Sequence, residues 1–222
     1  MAITKRIDGA YTISATGGIA LSNAVITAGT GITSVATAIV KHSVITLGNI
    51  IETTIILDLT GLNSGDADGD IIGKAGTANC HYGQITTAIN GTILSGYIQC
   101  LETPAGGESD IDLYSATEAT GTEESLITAL TETALLNTDG DWVGKHLSTK
   151  LNTLASNGTI KADSSILTSD IGNTIDLVSI VHSAGLTTIP PANGYLYLVA
   201  SGGSTNATYT AGKFLIKLYG YA

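Results

Sequence analysis

Basic residues are scarce in this chain. Lysine and arginine total nine among 222 residues, and only Lys5 and Arg6 stand together. A face that grips phosphates needs clustered lysine and arginine, and the formal net charge is −10 with a pI of about 4.5, so no nucleic-acid partner is expected. Lys5-Arg6 is read as a solvated N-terminal arm ahead of an electrostatic contact. Charge of either sign is sparse, at 13% of residues, about half the ~25% of an ordinary globular composition. Thr, Ser, Asn and Gly must therefore cover much of the surface, and such a surface often faces other protein. Apolar runs are short, none reaching the ~20 residues of a membrane span, and Met1-Ala-Ile-Thr-Lys-Arg6 lacks the basic and apolar regions of a secretory signal. No membrane association is expected, and synthesis in a cytoplasm is. Under reducing conditions the only two cysteines, Cys80 and Cys100, are expected as buried free thiols, with a single bridge between neighbouring strands as the alternative. Without an export signal, the Asn-x-Thr triplets beginning at Asn90, Asn157 and Asn206 are read as turn chemistry.

What is present is a fold signal. Hydrophobic residues make up 43% of the chain, which excludes the profile of a disordered protein. The clearest local instruction lies in Gln84–Glu102, where Asn90-Gly91 has the composition of a two-residue hairpin turn and the flanks are β-branched. In that register Ile85, Thr87, Ile89, Leu94, Ile98 and Cys100 share the core face. Thr53–Leu59 reads as a central strand and Ile111–Ala116 as a half-exposed one, while 126–136 fits strand and helix templates nearly equally and is taken as strand. Tyr195–Ala200 and Gly212–Tyr221 read as a last hairpin, with Phe214, Ile216 and Leu218 on one face of its second strand. Thr120-Gly-Thr-Glu123 resembles a capping box. Val143, Leu147, Leu151 and Leu154 recur at helical spacing, so one short helix is expected near 141–155. The fold expected is an all-β, two-layer antiparallel sandwich of jelly-roll type, with residues 1–50 as a Gly/Thr-rich arm or meander and 51–222 as the sandwich.

Chemistry is thin by comparison. Asp66, Asp68 and Asp70 alternate as in a calcium loop, but Ile71 stands where the sharp-turn glycine belongs and Thr77 where the bidentate glutamate belongs, so a solvated acidic turn is favoured over a metal site. His42, His81, His146 and His182 show no ligand spacing. Cys80 and His81 are adjacent, and on a strand they point to opposite faces, which sets them apart as a nucleophile and base. The segments 69–75 and 140–146 echo a phosphate loop without its full spacing or the Ser/Thr after Lys. No enzyme activity and no cofactor are expected. Because the Gly-rich N-terminal third is too broken to stand alone, Ile7, Tyr11, Ile13 and Ile19 are candidate anchors against a neighbouring subunit.

Three stretches carry a resemblance: Gly83-Gln-Ile-Thr-Thr-Ala-Ile-Asn-Gly-Thr-Ile93, Cys100-Leu-Glu-Thr-Pro-Ala-Gly-Gly-Glu-Ser-Asp-Ile-Asp-Leu-Tyr114, and the aromatic-rich end from Tyr195 to Tyr221. In them the chain resembles virion structural proteins of marine tailed bacteriophages, over residues 50–135 and roughly the last thirty. The resemblance implies a homo-oligomeric virion component, synthesised in the host cytoplasm, whose partners are other virion proteins such as the capsid shell. Within that class a capsid-associated decoration or cement subunit, or a shell subunit, competes with a tail-fibre or host-surface glycan-binding module that would use Tyr97, Tyr114, Tyr195 and Tyr197 as stacking platforms. The first is favoured, because sugar-binding faces usually expose tryptophan and Trp142, the only one, opens an amphipathic stripe.

Overall fold

The computed structural model describes residues 2–3, 13–14, 19–22, 26–136, 183–186, 188–201 and 206–222. In chain order the strands are β1 (Ala2–Ile3), β2 (Ile13–Ser14), β3 (Ile19–Ser22), β4 (Ile39–Leu47), β5 (Ile50–Asp58), β6 (Asp70–Ile71) and β7 (Gly83–Gln84). There follow β8 (Thr92–Ala105), β9 (Ile111–Ala116), β10 (Glu132–Leu136), β11 (Ser183–Gly185), β12 (Tyr195–Ala200) and β13 (Ala211–Tyr221). Helix is confined to single turns among the described residues: α1 (Thr30–Thr33), α2 (Thr87–Asn90) and a 3-10 turn at Ile127–Ala129.

All pairings are antiparallel and build an all-β sandwich. One sheet has the order β11-β8-β13-β5-β4-β3; the other runs β10-β9-β12-β6, with β7 also on β12. These orders carry the sandwich class, and the jelly-roll winding stays an expectation. β-Branched density explains the long members: β5 reads Ile-Ile-Glu-Thr-Thr-Ile-Ile-Leu-Asp, and its burial alternates so that Ile51, Thr53, Ile55 and Leu57 face inward. β13 repeats the pattern with Phe214, Ile216 and Leu218 inside. These side chains join Leu113, Leu196 and Leu198 of the second sheet in one core.

The β4–β5 hairpin turns at Gly48 and Asn49, with φ +62° at Gly48, as a glycine-first two-residue turn requires. It spans the boundary expected between residues 50 and 51, so Ile39–Leu47 is part of the sandwich. The helix expected near 141–155 lies outside the described residues.

Three local expectations are corrected. Asn90-Gly91 is not a hairpin turn but the end of α2: the Thr86 hydroxyl accepts from the Ile89 amide at the start of the turn, and Gly91 closes it at φ +68°. Asn90 itself is buried, its carbonyl accepting from the Thr86 amide (2.9 Å) and its amide donating to the Thr53 hydroxyl (2.8 Å). Next, a register shift between Tyr219 and Gly220 gives β8 an extra residue, so Ile93 turns inward and Leu94 outward, reversing the face assigned to Leu94. Finally, β12 and β13 do not form a hairpin: β12 pairs with β9, β6 and β7, while β13 lies between β5 and β8 in the opposite sheet.

Candidate contact surface

The outward face of the six-stranded sheet differs most from an ordinary soluble surface. Register places Leu47, Ile50, Tyr221 and Thr92 in one row across β4, β5, β13 and β8. All four are exposed, Leu47 at 60% and Tyr221 at 47%. The Tyr221 hydroxyl accepts from Asn49 of the hairpin turn (3.0 Å) and the Ala222 amide donates to the Asn49 carbonyl (2.9 Å), fixing the last residues against the sheet. Ile45, Ile56 and Ile39 extend the apolar character along β4 and β5.

The charges on this face answer one another. Lys217 on β13 donates to Glu52 on β5 at 2.7 Å. Lys213, further along, pairs with Glu102 on β8 and lies 3.5 Å from Asp58 on β5. Hydrogen bonding to Glu102, helped by Asp58, raises the Lys213 pKa, and the bond to Glu52 does the same for Lys217. Acids on β5 and β8 thus flank bases on the strand between them.

The second sheet offers little comparable surface. Tyr197 is fully buried; its hydroxyl donates to the Glu118 carbonyl (2.7 Å) and accepts from the Gly121 amide (3.3 Å), and burial pushes its pKa up to about 12. His81 packs edge-on against Tyr195, centroids 4.8 Å apart, and burial lowers its pKa. Tyr197 pairs opposite Tyr114 in this sheet whereas Tyr97 pairs with Lys217 in the other, so the four tyrosines weighed as stacking platforms do not form one face.

Cys80 and Cys100 are both buried, and no disulfide joins them. The Cys80 thiol donates to the Thr77 carbonyl (3.0 Å), and burial, with the nearby Glu123 carboxylate adding to it, pushes its pKa up to about 11. A Cβ at Gly31 or Gly73 would lie 2.3 or 2.2 Å from its sulfur, so the thiol fills space that only those two glycines leave. Glu123 does not act as a capping-box residue: it is buried and accepts from the Gly76 amide at 2.8 Å, clasping a loop 47 residues away in sequence.

The acidic loop is divided. Asp70 is buried and accepts from the Ala67 amide (2.8 Å) within its own turn, Asp68 accepts from the Ser201 hydroxyl (3.2 Å), and Asp66 is exposed. Among the described residues no three His, Cys, Asp or Glu side chains converge as a metal site requires. Of the arm anchors, Ile7 and Tyr11 lie outside the described residues, Ile13 pairs with Ile3 in the β1–β2 ladder, and Ile19 pairs with Leu47 of the same chain. Alternation within β13 already separates Lys213, Lys217 and Tyr219 from Phe214, Ile216 and Leu218 in the sequence, whereas the apolar row across four strands appears only once their pairing is known. Comparison with family models, curated proteins and solved structures finds no match.

Proposed function

We propose that this chain is a bacteriophage virion structural protein, a capsid-associated decoration, cement or shell subunit whose work is protein–protein contact. The observation that supports this reading is the outer face of the six-stranded sheet, where exposed Leu47, Ile50 and Tyr221 adjoin lysines already paired with carboxylates. Apolar and neutralised surface can be buried against protein with little charge to strip of water. The folded, β-rich, charge-poor composition and the resemblance set out above belong to the same reading.

Co-sedimentation of the purified chain with tailed-phage particles tests it. Binding should persist as salt rises well above physiological strength, since an association led by apolar burial is weakly screened. A chain that ignores particles and binds polysaccharide as a monomer would replace this reading with the tail-fibre one.

A further inference from the structure

We propose that a second copy of this chain docks on the outer face of the six-stranded sheet, two-fold and face to face, over the Leu47–Ile50–Tyr221 row. The inference rests on the contact-surface reading above and names the partner for that face.

Charge carries the argument. Three lysines (41, 213 and 217) and three carboxylates (Glu52, Asp58 and Glu102) point outward from β4, β5, β13 and β8. The face therefore has no net charge, and the whole formal charge of −10 lies elsewhere on the chain. Among the described residues outside this face, ten carboxylates stand against one lysine, Lys74, so self-approach through this face meets less like-charge repulsion than approach through the acidic remainder. A two-fold contact also demands that one patch contain both halves of its own complement. Bases on β13 with acids on both neighbours satisfy that demand for a two-fold axis that runs along the strands between β13 and β5, which lays the lysines of one copy over Glu52 and Asp58 of the other and the apolar row over itself.

Size is adequate as well. β4 and β5 are nine residues long and β13 eleven, with β8 longer still. At ~3.3 Å per residue and ~4.8 Å between strands, four such strands present a flat footprint of roughly 600 Å² before side-chain relief is added, near the ~800 Å² per partner of a standard interface. Apolar row and paired charges fall within that footprint.

Light scattering over a range of concentrations tests the proposal on the full chain. A dimer is expected, and Leu47→Asp and Ile50→Asp should each weaken it at least about tenfold by burying an unpaired carboxylate. Leu126→Asp and Ile189→Asp, at apolar positions 45% and 46% exposed but off this face, should leave it intact. Far-UV circular dichroism checks folding, and Thr54→Arg, at an outward polar position, serves if the apolar variants unfold. A dimer that survives every on-face variant, or a wild-type monomer, overturns the proposal. Particle co-sedimentation in parallel separates the two readings: a monomer that still binds particles leaves the virion function standing, and a dimer broken by Leu47→Asp that never binds particles leaves only the dimer.

Discussion

β13 and β12 are both central strands, yet they are buried in different ways. Along β13 buried and half-buried residues alternate from Gly212 to Gly220, whereas β12 is buried without a break from Leu196 to Ala200. The cause is what lies on each far side. β12 is flanked by β9 and by β6 and β7, and its second face is covered by loop residues such as Glu118, Gly121 and His81. A Cβ at Gly121 would come within 2.6 Å of the Tyr197 ring, which shows how closely that loop lies. β13 has sheet neighbours but an open outer face, and the three ion pairs found among the described residues all lie there. A strand covered on both faces loses the period-two signature and tolerates no unpaired charge; one covered on a single face keeps both the alternation and its charges.

Matched substitutions put that contrast to the test. Leu198→Ala in β12 should destabilise the chain by about 2–5 kcal/mol, through lost burial and the cavity left behind, while Leu215→Ala on the outer face of β13 should change it by less than about 1 kcal/mol. Urea denaturation measures both, and equal losses would erase the distinction between the sheets.

A smaller effect is expected from pH in the loop region over β12. Folding raises the Cys80 pKa from its ordinary 9.0 to about 11, so the folded chain holds this proton more tightly. The associated stability is whole below pH 9 and is lost as pH climbs through about 11. The loss should be about 1–3 kcal/mol. In Cys80→Ala the alkaline decline of the urea midpoint should be shallower; an unchanged slope would assign the decline to other groups, such as Tyr197, which titrates higher.

The least change should come from the open face. Glu52→Gln removes the partner of Lys217, whose side chain is 23% exposed, and should lower monomer stability by no more than about 1 kcal/mol, with that difference shrinking further in high salt. A loss of several kcal/mol would mean that this face is far drier than its exposure indicates.

Local composition made the strands themselves legible. The β-branched run of β5 and the Phe214, Ile216, Leu218 face of β13 could each be read from a few neighbours, because period-two burial is written residue by residue; β9, expected half-exposed, is instead buried at every position but Tyr114, since both its faces are covered. The segment 126–136, taken as strand, divides into a 3-10 turn and β10, since Ile127 donates to the Gly69 carbonyl and so follows a distant loop. For the two cysteines the sequence left buried thiols and a bridge both open, and the structure shows two buried thiols without a disulfide.

By itself, then, the sequence determined an all-β chain with alternating strands and a charge-poor surface. Only the tertiary structure decided which strands pair. Asn90-Gly91 permits left-handed backbone in a hairpin or at a helix end alike, and it becomes a helix end because the Asn90 amide finds the buried Thr53 hydroxyl 37 residues away. Tyr195–Ala200 and Ala211–Tyr221 are near in sequence but pair in opposite sheets, each matched to strands from much earlier in the chain. A single extra residue at the β8 bulge sends Leu94 to the outside and Ile93 to the core. In each case the deciding partner is remote, and its gain in burial or hydrogen bonding outweighs a local preference worth about 1 kcal/mol or less.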